Sequence, residues 1–151
     1  MENHTERLHL KYTETQLFDA VVDVERYPDF LPWVIAARIR RHQDQTLWVD
    51  MTIGMRFHRR RFSAKALLDR PHRINISSHD PMFEWFEQKW TFQPATEGGT
   101  YIEYQVDFKF RSRLLQTLIG ASFAIVNVVP APNAAASTTA KPNCFMMVLV
   151  G

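Results

Sequence analysis

The sequence is poor in cysteine, in glycine and, toward its C-terminus, in charge. Its 151 residues include one cysteine, Cys144, and five glycines. A disulfide-based scaffold is excluded because a lone thiol has no partner. The uncharged stretch 114–129 is interrupted by polar residues and ends at Pro130, short of the roughly 20 residues that a membrane-spanning helix needs. The first ten residues carry charges of both signs and no apolar core, so we expect no secretory signal and a cytoplasmic location.

Charge is also nearly balanced and very unevenly distributed. The formal net charge is +2, which by itself does not indicate a nucleic-acid-binding protein, and we expect no DNA partner. Residues 114–151 contain a single charged side chain, Lys141. The apolar content of 46% and the chain length predict one globular domain with a full core.

The hydrophobic periodicity predicts a mixed α+β fold. Residues 7–12 alternate as a half-buried strand, and Thr13 is placed to cap a helix that runs through residue 23. From residue 34 the period is two, and the short connections favour antiparallel hairpins, giving a sheet of about six to seven strands. The predicted later strands are 34–41, 46–53, 61–68, 73–77, 84–92 and 101–110.

The C-terminal segment departs from this pattern. Residues 113–129 begin as a helix with an apolar stripe, but three prolines between 130 and 142 exclude its continuation. We therefore divide the chain into a domain, 1–123, and an atypical low-complexity tail, 124–151, and we expect no fixed structure after Val129. The abrupt loss of charge and helical pattern resembles a change of reading frame, which is our hypothesis for its origin.

Aromatic side chains are concentrated between residues 81 and 110. Such a supply either packs solidly against a helix or lines a roofed apolar cavity, and composition leaves both interpretations open. The turn that ends in Trp33 likewise either plugs one end of the sheet or contacts a ligand. The nine aromatics are Phe83, Trp85, Phe86, Trp90, Phe92, Tyr101, Tyr104, Phe108 and Phe110.

The sequence shows no catalytic or metal-binding pattern. Its six histidines include no His-x-x-x-His pair, and no nucleophile, phosphate-loop or dinucleotide motif is present. Glu84, Glu87 and Glu103 either act as acid or base in a cavity or lie on the solvated face, and strand alternation favours the latter. We therefore predict a protein that is not an enzyme, with no metal and no catalytic cofactor.

A run of arginines falls in a predicted hairpin. Arg56, Arg59, Arg60 and Arg61 are interleaved with phenylalanines. The run is either a solvated hairpin or a contact with an anionic membrane surface or RNA phosphates.

Residues 24–33, Val-Glu-Arg-Tyr-Pro-Asp-Phe-Leu-Pro-Trp, resemble the signature turn of the coenzyme Q-binding START-like proteins. These belong to the polyketide cyclase and lipid-transport superfamily. The resemblance continues through 68–74 (Leu-Asp-Arg-Pro-His-Arg-Ile) and 107–115 and covers about residues 8–123. It implies a helix-grip fold, in which a long C-terminal helix lies across a curved antiparallel sheet and closes a hydrophobic tunnel. In this chain that helix is predicted to be truncated or altered.

The resemblance also implies a function: non-catalytic binding of ubiquinone, an isoprenoid quinone, for delivery to or function in the respiratory chain. Peripheral contact with the inner membrane is a further expectation. One alternative is a ribosome-associating toxin that blocks subunit joining, with the arginine run on RNA; another is a small cyclase or dehydratase. The predicted cavity residues are Phe62, Trp85, Trp90, Phe92, Tyr104, Phe108, Phe110, Leu114, Leu115 and Leu118, with Leu31, Pro32 and Trp33 at the entrance.

Overall fold

Seven antiparallel strands form one curved, open sheet in the computed structural model, which describes residues 2–29, 34–55, 58–118, 126–130 and 144–148. The spatial order is β1-β7-β6-β5-β4-β3-β2, so the first strand closes one edge of the sheet and the second strand forms the other. The strands are β1 (Glu2–Leu10), β2 (Val34–Gln43), β3 (Thr46–Met55), β4 (His58–Asp69), β5 (Arg73–Ser77), β6 (Phe83–Pro94) and β7 (Thr100–Phe110). This arrangement confirms the predicted antiparallel α+β fold.

Helix α1 (Glu14–Val22) begins where the sequence predicted. The Gln16 backbone N–H donates to Thr13 Oγ1 at 3.1 Å, and the Thr13 N–H donates to Gln16 Oε1 at 3.0 Å, a capping box. Its apolar side, which includes Leu17 and Phe18, is buried against the concave face of the sheet, hereafter the inner face. A 3₁₀ helix, Val24–Asp29, follows and lies against β2, where the Ile39 N–H donates to Glu25 Oε2 at 3.3 Å.

The turn between β6 and β7 depends on two glycines. Gly98 and Gly99 have φ values of +94° and +74°, a region that side-chain-bearing residues rarely adopt. A Cβ on Gly99 would overlap the Leu10 carbonyl oxygen, so the last residue of β1 and this turn approach too closely for any larger residue.

The C-terminal part differs from the prediction. Helix α2 is described over Arg113–Leu118, and residues predicted to extend it form strand β8 (Val126–Pro130). This strand pairs antiparallel with β9 (Cys144–Val148). The helical prediction is therefore wrong for 126–129, and the expectation of no fixed structure is wrong for Pro130 and for 144–148. The reason is local: three valines in 126–130 favour extended backbone, and Pro130 stands at the strand end, where a missing N–H is tolerated.

Candidate functional site

The inner face of the sheet is lined by aromatic side chains. In β7, Ile102, Tyr104, Val106, Phe108 and Phe110 are all at most 2% exposed, as the alternation predicted. Residues of the neighbouring strand β6 meet them, and Phe62 of β4 meets the β6 aromatics from further along the sheet. Most of the predicted cavity residues come together here. The buried aromatic members are Phe62, Phe83, Phe86, Trp90, Phe92, Tyr104, Phe108 and Phe110, each at most 5% exposed.

These rings contact one another directly. The centroids of Phe83 and Phe110 lie 5.2 Å apart in a stacked arrangement, and Phe62 meets Phe83 edge-on at 5.2 Å. The Trp90 and Tyr104 rings are 4.6 Å apart. Helix α1 reaches the cluster through Phe18, whose ring lies 5.8 Å from that of Phe92.

Trp85 is a correction to the predicted set. An irregularity in the β6–β7 pairing between Phe83 and Trp85 inserts one residue, so that Phe83 and Phe86 both face inward and Trp85 faces outward. On the outer face its Nε1 donates to Asp107 Oδ1 at 2.7 Å, and Lys109 Nζ lies 5.6 Å from its ring centroid. The regular alternation with Phe86, Trp90 and Phe92 is what places Trp85 on the outer face, and the inserted residue turns Phe83 inward.

A polar chain crosses the aromatic inner face. Trp90 Nε1 donates to Gln88 Oε1 at 3.2 Å, and Gln88 Nε2 donates to Tyr104 Oη at 2.8 Å. Gln88 was absent from the predicted site, although its spacing of two from Phe86 and Trp90 was the signal that places it on the inner face.

Burial, with smaller contributions from Tyr104 and Asp23, raises the pKa of Tyr27, so that phenol stays neutral and donates to the Val21 carbonyl.

The other predicted lining residues lie elsewhere or outside the described part. Leu114, in the first turn of α2, is 58% exposed, so its predicted place in the cavity wall is wrong for this structure. Leu31, Pro32 and Trp33 lie outside the described residues, as do the side chains of Leu115 and Leu118.

The carboxylates considered for catalysis face away from the aromatic cluster. Glu84 and Glu87 are exposed, and Glu84 Oε2 lies 3.0 Å from Lys109 Nζ on the outer face. Glu103 is half-buried there and accepts from Gln105 Nε2 at 3.0 Å. The prediction that these three lie on the solvated face is therefore confirmed. Among the described residues, no group of three histidine, cysteine or acidic side chains is arranged to hold a metal ion.

The arginine run is solvent-exposed where it is described. Arg59, Arg60 and Arg61 open β4 with exposed side chains, while Arg56 lies outside the described residues. Arg61 Nη2 donates to Asp50 Oδ2 at 2.9 Å. No helix within the described ranges is long and apolar enough to cross a membrane.

Comparison with known proteins agrees with this architecture. The family model for polyketide cyclase/dehydrase and lipid transport matches residues 10–127. The ribosome association toxin RatA of Rickettsia prowazekii is 30% identical over 120 residues, covering 77% of this chain and 82% of that protein. The mitochondrial coenzyme Q-binding protein of Schizosaccharomyces pombe is 24% identical over 124 residues, covering 76% and 75%.

Two solved structures show the same fold. A START superfamily protein from Mycobacterium smegmatis superposes with a TM-score of 0.64 at 13% identity, over 80% of this chain and 88% of that one. The Zhui aromatase/cyclase from Streptomyces gives a TM-score of 0.64 at 15% identity, over 74% and 69%. The curved sheet and the family match together show that the chain belongs to the polyketide cyclase/dehydrase and lipid transport family and has its START-like fold.

Proposed function

We propose that the protein binds an isoprenoid quinone, ubiquinone, on the aromatic inner face and carries it without bond-making chemistry. The observation that supports this most is the buried aromatic cluster with the polar chain through Gln88 at its centre. A coenzyme Q-binding protein among the relatives supports the same ligand class.

The inner face suits a long apolar tail. Burying one CH₂ group contributes about 0.8 kcal/mol, so a polyprenyl chain gains affinity from apolar contact alone. Because the aromatic members are at most 5% exposed, a ligand must enter by displacing what covers them. Ring pairs such as Trp90 with Tyr104 then become the walls of the ligand site.

Gln88 is the proposed contact for the quinone head group. The Gln88 carboxamide nitrogen carries two N–H groups, and one of them donates to Tyr104 Oη. The second N–H is a donor for a quinone carbonyl oxygen. The arrangement favours binding over catalysis, because Glu84, Glu87 and Glu103 lie on the other side of the sheet.

The direct test is solvent extraction of the full-length protein purified from a ubiquinone-producing bacterium, followed by mass spectrometry. We expect ubiquinone in near-stoichiometric amount. An empty protein that also fails to take up a short-chain ubiquinone in a fluorescence titration would contradict the proposal.

Two tryptophans on opposite faces provide a matched pair of variants. Quinones quench nearby tryptophan fluorescence, so Trp90→Phe should remove more of the ubiquinone-dependent quenching than Trp85→Phe. Gln88→Leu should weaken binding about tenfold, the equivalent of one hydrogen bond of about 1.4 kcal/mol. Equal quenching losses in both tryptophan variants would place the quinone elsewhere.

Ribosome association is the second candidate. It is favoured by the 30% identical relative named as a ribosome association toxin and by the exposed arginines at the start of β4. Co-sedimentation with ribosomal subunits at increasing salt tests it, since phosphate contacts weaken steeply with salt. The expected membrane contact during quinone exchange is tested separately by flotation with anionic liposomes.

The division into a domain, 1–123, and a tail, 124–151, stays a proposal, together with the reading-frame change. Resequencing the coding DNA tests the proposed change of reading frame. A coding sequence in which no other frame continues the helical pattern would contradict it.

A further inference from the structure

The outer face of β2, β3 and β4 collects positive charge from distant parts of the sequence. The pairing register places Arg38 opposite Asp50 and Arg41 opposite Trp48, while Trp48 pairs with Lys65 on the other side. In β3 and β4 the positions that alternate with these are buried on the inner face. In β2 an inserted residue between Ile39 and Arg41 allows Arg40 to lie on the outer face beside Arg41. We call the six exposed cations on this face the outer basic surface: Arg38, Arg40, Arg41, Arg59, Arg61 and Lys65.

Trp48 lies at the centre of the outer basic surface. Its half-buried ring has the Arg41 guanidinium carbon 4.8 Å from its centroid and Lys65 Nζ at 5.9 Å. An aromatic ring held on a sheet face between two cations is the combination that single-stranded nucleic-acid sites use, in which the ring stacks on a base and the charges bind its phosphates.

The acidic groups near this surface leave most of its charge uncompensated. Asp50, with a side chain 10% exposed, lies beneath the cations and binds Arg61 at 2.9 Å and Arg40 at 3.6 Å. Asp80 accepts from the Ser63 backbone N–H, and Glu25 accepts from that of Ile39, so both are held at the margins. Asp69 ends β4 on the same face but is paired with Arg73 of β5 at 3.4 Å. The other acidic residues of the outer face lie on β6 and β7, which is why the net charge of +2 conceals this surface.

We propose that the outer basic surface binds single-stranded RNA, with the cations on successive phosphates and Trp48 stacked on an unpaired base. A membrane-docking surface gains stable attachment by adding several projecting apolar side chains to its cations. Among the described residues of these three strands, only two large apolar side chains are exposed: Leu67, at 49%, and Ile35, at the start of β2. The inference goes beyond quinone binding, and it extends the ribosome-association candidate from the arginine run to a surface spanning three strands.

The charge count sets the expected salt dependence. Arg40 and Arg61 already bind Asp50, which leaves four cations for phosphates. For single-stranded nucleic acid, each phosphate contact contributes about −0.7 to the slope of the logarithm of the binding constant against the logarithm of the salt concentration. Four contacts therefore predict a slope of about −3.

The test is fluorescence anisotropy of the full chain with a labelled single-stranded 15-nucleotide RNA at several potassium chloride concentrations. The variant Arg41→Gln with Lys65→Gln removes the two cations that flank Trp48. A matched control, Arg7→Gln with Lys89→Gln, removes an arginine that stacks on Tyr101 and a lysine from the opposite half of the same outer face. Urea unfolding verifies that every variant is folded.

We expect the first double variant to bind at least about tenfold more weakly at low salt, with the slope reduced by about 1.4, and the control to change less than about twofold. Trp48→Leu should weaken binding at least about fivefold with an unchanged slope, because it removes stacking and no charge. Equal losses in the two double variants, or wild-type binding that does not depend on salt, would overturn the proposal.

Two further readouts separate this inference from the functions above. If the first double variant loses binding to phosphatidylglycerol vesicles and keeps its RNA affinity, the surface is a membrane site and the RNA proposal is wrong. If it keeps full co-sedimentation with ribosomes, ribosome association stands but uses another surface. Ubiquinone binding should be unchanged in both double variants, since it depends on the inner face.

Discussion

Replacing Asp50 by asparagine should lower the stability of the protein in a pH-dependent way. Its carboxylate accepts from Ser63 Oγ at 2.9 Å and from Arg61 Nη2 at 2.9 Å, and Arg40 Nη1 lies 3.6 Å away. Burial raises the pKa of Asp50, but the hydrogen bonds from Arg61 and Ser63 and the charges of Arg40 and Arg61 outweigh it and hold the pKa below its usual range.

The expected loss at neutral pH is about 1–2 kcal/mol. Hydrogen bonds to a charged group contribute about 1.5–3 kcal/mol when buried. The side chains of Arg40 and Arg61 are 51% and 70% exposed, so solvent screening reduces their share toward the value of a surface pair. For a chain of this length the loss corresponds to a fall in Tm of about 3–6 °C.

The pH dependence follows from the direction of the pKa shift. A carboxyl whose folded pKa lies below its unfolded value of about 3.9 stabilises the protein fully above that value. The stabilisation is lost as the pH falls through the folded pKa. The stability difference between wild type and Asp50→Asn should therefore be constant from pH 7 to about pH 5 and shrink below pH 4.

Urea unfolding followed by tryptophan fluorescence at pH 7, 5 and 3 measures this difference. Asp19→Asn is the control, because the Asp19–Arg70 pair is 53% and 56% exposed and should contribute less. A difference that stays the same at pH 3, or a control variant that loses as much stability, would refute the reasoning.

Three further substitutions test individual contacts, each measured as a change in the free energy of unfolding in urea. Thr100, which is 1% exposed, donates from its Oγ1 to the Tyr12 carbonyl oxygen at 2.7 Å. Thr100→Val removes this hydrogen bond and should cost about 1–2 kcal/mol, whereas Thr91→Val, on the outer face, should cost less. Gly99→Ala should be more destabilising than Gly98→Ala. Both glycines have a positive φ, but only a Cβ at Gly99 would overlap the backbone of Leu10, so equal losses would contradict that close approach. Tyr104→Phe leaves Gln88 Nε2 without this acceptor and should cost about 1 kcal/mol, and no loss would mean that the polar chain does not stabilise the inner face.

Local signals were sufficient for the seven strands of the sheet, for α1 and for much of the inner face. Thr13 and Gln16 determine where α1 begins, because both partners of the capping box lie within one turn. The alternation in 101–110 correctly assigned Tyr104 and Phe108 to the buried side, since successive side chains of a strand point to opposite faces.

Features that depend on strand pairing were not visible in the sequence. Phe83 faces inward only because one residue is inserted at the start of β6, and only the register with β7 reveals that insertion. Trp85 lies an odd number of residues from Phe86 and Trp90, so the alternation places it on the outer face without the insertion. Gln88 was passed over as one polar residue within a strand, although its partners Trp90 and Tyr104 make it part of the inner face.

The fold class, the family resemblance and the aromatic content of the inner face follow from the residues alone, because they depend on short-range periodicity and on residue types. The tertiary structure decided which side chains share a surface. The outer basic surface joins Arg38 of β2 to Lys65 of β4 through Trp48, residues brought together only when three strands pair in one register. Charges that nearly cancel over the whole chain are separated in space by that pairing, which no count of residues along the sequence can show.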